Sequence, residues 1–144
     1  MKILIVDDDA IHAMIASLSL RSVGYETEVL ASGREAVNLC GRETFDLVLL
    51  DLDLPAFSGL DTLRAIQSGP NPPPVVMLTA SHEMDDVLAA RGLGAIGYIE
   101  KPFSIYSVKE KIDRILEARD VQWVDDYHLV TKPGAQRQAA SQAA

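Results

Sequence analysis

The feature that most constrains this chain is Leu47–Leu50, an apolar run without polar alternation that stops at Asp51. Such a run reads as a strand buried on both faces, which requires a parallel sheet covered by helices on both sides. Similar runs recur at Lys2–Val6 before Asp7-Asp8-Asp9, at Val75–Leu78 before Thr79, and at Ala95–Ile99 before Glu100-Lys101. Open sheets of this kind gather their ligands at the carboxyl ends of the strands. The residues that end these runs are therefore the ones expected to carry the chemistry.

Between the strands the spacing turns helical. Ile11, Met14, Ile15 and Leu18 recur at helical intervals until Gly24, and Tyr25–Leu30 alternates as a strand nearer the sheet edge. Ser32 with Glu35 forms a capping-box pattern for a helix that turns Ala36, Val37 and Cys40 inward and stops at Gly41. Pro55 and Ser58-Gly59 force a loop before a helix from Gly59 to Gln67 carrying Leu60, Leu63 and Ile66. The prolines of Ser68–Pro74 exclude regular structure there. Thr79 or Ser81 precedes a helix with Met84, Val87, Leu88 and Arg91, which the glycines of RGLGAIG break. The last strong helix runs from Ile105 to Arg119, with Val108, Ile112, Ile115 and Leu116 on one face. Alternation of strand and helix at this rhythm predicts an α/β three-layer sandwich with a parallel sheet. Beyond Arg119, Trp123, Tyr127 and His128 follow no clean period, and Lys132–Ala144 is small, polar and expected to be disordered. The division is thus a domain over 1–119 and a tail or linker over 120–144.

Bulk properties narrow the partners. A length of 144 residues suits one domain with one core. The net charge of −8 argues against direct nucleic-acid binding, which needs a cationic face. No apolar run reaches membrane-spanning length, no leader pattern follows Met1-Lys2, and a cytoplasmic setting is expected. The single Cys40 is expected to fill core space rather than react. His12, His82 and His128 lack metal-ligand spacing, and the first two are expected at the surface.

If the strand ends share one edge, Asp7, Asp8 and Asp51 meet there with the Thr79 hydroxyl and the Lys101 ammonium. Three ionised carboxylates would repel one another, and a divalent cation removes the conflict. A set of hard oxygens with few protein donors favours magnesium, which readily shares a phosphate oxygen. A carboxylate beside such a metal is a competent nucleophile toward phosphorus, with Lys101 and Thr79 placed to meet phosphoryl oxygens. Each residue also has an ordinary reading: an aspartate after a strand caps a helix, as Asp9 is expected to, and a lone lysine is usually solvated. Coincidence at four strand ends favours the joint site.

These motifs resemble the receiver domain of two-component response regulators, across roughly Met1 to Arg119. KILIV followed by Asp7-Asp8 is similar to the family's metal-binding pair, and LVLLDLDLPAFSGL to its phosphoacceptor strand and loop. VVMLTA corresponds to the strand with the switch hydroxyl, and GYIEKPF to the one with the lysine. The resemblance implies a flavodoxin-like (βα)5 fold with strand order 2-1-3-4-5, the order the fold rule gives for a chemotaxis member of the family. It implies Asp51 as phosphoacceptor, Lys101 and Thr79 as its helpers, and Mg2+ held by Asp7, Asp8, Asp51 and the Asp53 carbonyl. It further implies Thr79 and Tyr98 as switch residues, a cis Lys101–Pro102 peptide, and a phosphohistidine donor on a sensor histidine kinase or phosphotransfer protein. Asp53 departs from the Met or Asn usual at its position, and its carboxylate adds negative charge beside the site.

Two other readings stand beside this one. Asp51-x-Asp53 also resembles the nucleophile motif of haloacid-dehalogenase-type phosphatases, though there the paired aspartates come last and a cap segment is needed. Alternatively, the chain is the receiver of a longer regulator whose effector follows the linker. A single-domain receiver would act as a phosphoacceptor signalling protein, not an enzyme with turnover, through a downstream protein partner. Whether it forms a homodimer is left open by the sequence.

Overall fold

The structure, a computed structural model, describes residues 1–80, 84–118, 122–124 and 129–131. Expectations for Ser81, His82, Tyr127, His128 and Lys132–Ala144 lie outside the described residues, as does any side-chain role for Trp123. The elements follow in the order β1 (Lys2–Val6), α1 (Ala10–Arg21), β2 (Glu26–Leu30), α2 (Gly33–Cys40), β3 (Leu47–Asp51) and α3 (Gly59–Gln67). Then come β4 (Val75–Thr79), α4 (Met84–Gly92), β5 (Gly97–Glu100), α5 (Ser107–Ala118), β6 (Gln122–Val124) and β7 (Leu129–Thr131).

The sheet order is β2-β1-β3-β4-β5-β6-β7, so the expected order 2-1-3-4-5 is present and two short strands extend it. The first five strands pair in parallel. From the tail, β6 pairs parallel to β5 at Gly97↔Val124, and β7 returns antiparallel to β6.

Every residue of β3 and β4 is buried, as runs without alternation require. Leu4, Val6, Val48, Leu50, Val75 and Met77 face a core shared with α2, α3 and α4. Ile3, Ile5, Leu47, Leu49, Val76, Leu78 and Ile99 face the other core, shared with α1 and α5.

Local chemistry sets the helix starts. Asp9 caps α1, accepting from the backbone N–H groups of Ile11 and His12 at 3.0 and 3.1 Å. Ser32 caps α2 through the Glu35 N–H, and Ser58 caps α3 through the Asp61 N–H. Ser104 and Ser107 bond each other's N–H groups at 3.0 and 3.2 Å, so α5 starts at Ser107 and not at Ile105 as the pattern suggests. Ahead of β5, Gly94 turns at φ +101°, and the Ala95 N–H still bonds Ala90. The strand therefore begins at Gly97, two residues later than the apolar run.

Helix α1 differs most from its pattern. Ile11, Met14 and Leu18, which announced the helix, are 65, 54 and 48% exposed. Its buried face is instead Ala13, Ala16, Ser19 and Leu20. Apart from Leu20 and the partly buried Ile15, the inward residues are small, and Ile11, Met14 and Leu18 project outward.

Candidate functional site

Alternation with a period of two decides which strand-end side chains meet. Asp7, Asp51 and Lys101 each come two residues after a side chain of the α1–α5 face, namely Ile5, Leu49 and Ile99. The register brings them together: Val6 pairs with Leu50, so Asp7 and Asp51 are one step beyond adjacent partners. Thr79 comes two after Met77 and takes the opposite face, the one that also carries Tyr98, the partner of Met77. Main-chain bonds continue the sheet past the strands, from Asp7 N–H to Leu30 O at 3.0 Å, Leu52 N–H to Leu78 O at 2.8 Å and Lys101 N–H to Thr79 O at 2.8 Å.

The cleft is a compact charge cluster. Lys101 Nζ lies 2.8 Å from Asp7 Oδ2 and 3.3 Å from Asp51 Oδ2. One carboxylate oxygen each from Asp7, Asp8 and Asp51 all fall within 4.8 Å of one another. Asp7 and Asp51 are buried, whereas Asp8 is exposed and opens the cluster to solvent. The remaining oxygens are held by the backbone: Asp7 Oδ1 accepts from the Asp9 N–H at 2.9 Å, and Asp51 Oδ1 from the Asp53 N–H at 3.0 Å. Both aspartates are thus fixed by the chain two residues on, an Asx-type turn at each strand end.

The electrostatics follow from that crowding. Burial pushes the Asp51 carboxyl above its ordinary value; the Asp53 N–H pulls it down, the Asp7 carboxylate raises it, and Lys101 lowers it. Burial alone would lower the Lys101 ammonium, but the Asp7 and Asp51 carboxylates outweigh burial and raise it. Lys101 therefore stays charged in the cleft.

The donor set fits a hard divalent cation. Asp7 Oδ2 is buried and, apart from the ammonium beside it, has no partner in hydrogen-bond geometry among the described residues. Carboxylate oxygens open to water on the Asp8 side are the ligands magnesium prefers. The site residues expected from the sequence fall into place with it: Asp7, Asp8, Asp51 and Lys101 cluster, and Thr79 is buried at the end of the neighbouring strand. The Lys101–Pro102 peptide is cis. Tyr98 is buried, with its side chain 7% exposed. Asp53 contributes its N–H, and its residue is exposed at the edge of the cleft.

Two neighbours of the cleft were not among the expected site residues. Gly59 packs so closely on β3 that an added Cβ would lie 2.3 Å from Asp51 O and 2.6 Å from Leu52 Cα. His12, expected at the surface, is half-buried, with its ring centroid 5.9 Å from that of Phe103 and Nδ1 3.3 Å from Asp9 Oδ2. Gly59 in the loop after the acceptor was the available signal for the first. Nothing local marks the second, because Phe103 comes from a distant segment.

Known proteins share both sequence and fold. The family described as response regulator receiver domain matches residues 3–113. The DNA-binding response regulator MtrA of Mycobacterium leprae is 40% identical over 144 residues, covering 92% of this chain and 64% of that protein. This chain thus spans just under two thirds of the length of such relatives. The CheY-like receiver domain protein of Methanospirillum hungatei superposes with a TM-score of 0.74 at 31% identity, covering 83% of this chain and 95% of that one. The receiver domain of the sensor histidine kinase PA1611 of Pseudomonas aeruginosa, solved with a magnesium ion in its active-site cleft, gives 0.72 at 29% identity, covering 81 and 97%.

Proposed function

The chain belongs to the response regulator receiver family, and from that premise we propose that Asp51 accepts a phosphoryl group from a phosphohistidine, the donor being a sensor histidine kinase or phosphotransfer protein. The observation that carries this reading is the meeting of Asp7, Asp8 and Asp51 oxygens within 4.8 Å, with Lys101 Nζ 3.3 Å from the acceptor carboxylate. In the transfer, an Asp51 carboxylate oxygen forms a bond to phosphorus as the phosphorus–nitrogen bond of the donor breaks. The imidazole leaves with the electron pair, and the product is an acyl phosphate. Asp51 attacks as the carboxylate, and the Asp53 N–H holds its other oxygen so that one lone pair is aimed outward.

Asp7, Asp8 and Asp51, with the Asp53 carbonyl, would hold Mg2+, whose charge offsets that of the phosphoryl oxygens in transfer. Lys101 meets one phosphoryl oxygen by turning from its contact with Asp51, and the Thr79 hydroxyl at the next strand end donates to another. Thr79 shares its sheet face with Tyr98, so movement of the hydroxyl toward the phosphoryl group changes the packing around the aromatic side chain and the face formed by α4, β5 and α5. A downstream protein or an effector domain would read that face. The exposed Ile11, Met14 and Leu18 along the α1 helix that follows Asp8 provide a surface on which a donor protein can seat before transfer. Asp51 is used once per phosphorylation and is not a turnover nucleophile, and a cytoplasmic setting suits such a donor.

The test is intact mass after incubation with a small phosphodonor and Mg2+. The wild-type chain should gain one phosphoryl group, lose it to hydroxylamine as an acyl phosphate does, and gain none as Asp51→Asn or in EDTA. Equal gain by wild type and Asp51→Asn would remove Asp51 from the reaction.

A further inference from the structure

Among the buried polar side chains is Ser19, on the inner face of α1 and 2% exposed. Its hydroxyl donates to the carbonyl oxygen of Ile105, a residue 86 positions further along the chain. Ile105 belongs to the loop between β5 and α5, which begins at Lys101.

That loop is held at several points. The Lys101 N–H bonds Thr79 O at 2.8 Å. Phe103 is buried in the α1–α5 core with its ring against His12 of α1. Ile105 O is held by Ser19, while the next residue, Tyr106, is 85% exposed. Two of these anchors come from α1. The same helix starts just after Asp7 and Asp8 and is capped by Asp9. One rigid helix therefore fixes the carboxylates at its start and, about 15 Å along at a rise of 1.5 Å per residue, the loop that carries the cation facing them.

We propose that Ser19 is a positioning residue for Lys101, holding the β5–α5 loop so that the ammonium stays on the acceptor carboxylate; this rests on the reading of Asp51 as phosphoacceptor. Replacing the hydroxyl with a hydrogen leaves Ile105 O without its donor in a part-buried place. The loop relieves this by moving toward water, since an unsatisfied carbonyl is costly and Ile105 already borders solvent. Lys101, four residues earlier, moves with it. Because the outer face of the same helix presents Ile11, Met14 and Leu18, a protein seated there would bear on Lys101 through Ser19.

The experiment compares the 144-residue wild-type chain with Ser19→Ala and Ala16→Gly. Ala16→Gly is a packing control, since Ala16 is fully buried on the same helix and offers no side-chain hydrogen bond. Trace acetylation with acetic anhydride, read by peptide mass spectrometry, measures Lys101 accessibility without phosphorylation, with Lys2 and Lys109 as internal references. Phosphorylation by a small phosphodonor at saturating concentration measures the transfer step. Ser19→Ala should raise Lys101 labelling about fivefold with the reference lysines unchanged, and should slow transfer by at least about threefold. Ala16→Gly should lower Tm while leaving Lys101 labelling at the wild-type level. If Ser19→Ala does not fold, Ser19→Cys, near in size but a weak donor, is judged by the same criteria. Unchanged Lys101 labelling in a folded Ser19 variant, or equal labelling in Ala16→Gly, overturns the proposal. Failure of wild type to take up phosphate overturns the acceptor reading instead, and the labelling result still reports on the loop.

Discussion

Gly59→Ala offers a direct test of how the acceptor strand is held. Gly59 opens α3, and a Cβ there would sit 2.3 Å from Asp51 O, 2.6 Å from Leu52 Cα and 2.7 Å from Leu52 O. All three are backbone atoms, so no side chain can swing away, and the helix must retreat from β3 by about 1 Å to restore ordinary contact. Overpacking of this kind costs about 1–3 kcal/mol, and a backbone clash belongs at the upper end. Alanine regains about 1 kcal/mol of helix preference over glycine, which leaves a net loss of about 2 kcal/mol. For a chain of this size that is a fall in Tm of about 5–10 °C, measurable by calorimetry and by the urea midpoint. Gly41→Ala is the matched control: its φ is −76° and the nearest atom to a new Cβ is Asn38 O at 3.4 Å. It should leave stability unchanged or raise it by about 0.4–1 kcal/mol through the unfolded state. Phosphorylation of Gly59→Ala by a small phosphodonor should slow about tenfold or more if β3 gives way instead of the helix, since even part of a ~1 Å shift of Asp51 spoils its line of attack. A Gly59→Ala protein within about 0.5 kcal/mol of wild type, or one no less stable than Gly41→Ala, would refute the close packing of α3 on the acceptor strand.

Two further outcomes follow from the ionisable groups. Because the Asp51 carboxyl is raised in the folded protein, chiefly by burial, the fold binds its proton more tightly than the unfolded chain does. Stability from this group is therefore present below the unfolded value and lost as pH rises through the folded one. In EDTA, Asp51→Asn should be more stable than wild type at neutral pH, with the gap closing as pH falls through the raised folded value toward 3.8 and shrinking on adding Mg2+; a gap that widens in acid contradicts the sign. Burial also pushes the Cys40 thiol from 9.0 up to about 11, so its alkylation by iodoacetamide at pH 7.5 should run about 100-fold slower than that of a solvent-exposed thiol of ordinary pKa. Rapid alkylation of the native protein would show that Cys40 is not shielded.

How much of this was legible in the sequence depends on what each residue's surroundings required. Strands buried on both faces state themselves, because nothing polar can interrupt Leu47–Leu50 or Val75–Leu78. Period-two alternation then places Asp7, Asp51 and Lys101 on one face without any contact being known. Helix α1 misleads for the opposite reason. Its core face is mostly small residues with Leu20, and of the spaced apolar residues only Ile15 packs against the core while Ile11, Met14 and Leu18 lie outside, so apolar spacing marks the helix but not its orientation. The starts of β5 and α5 were displaced by two residues each because turn geometry at Gly94 and reciprocal capping at Ser104 and Ser107 decide them, and hydropathy records neither. That β6 and β7 join the sheet was likewise invisible, since strands of three residues are too short to show a period.

The same distinction explains why the site is firmer than its surroundings. Its charged groups sit at strand ends whose positions follow from sheet register, and register is set by many buried side chains at once. Lys101 also begins from a strand end, but further along its loop Phe103 and the carbonyl of Ile105 contact α1. The loop that carries the cation is thus tied to α1 as well as to the sheet, which holds it through the Lys101 N–H on Thr79 O.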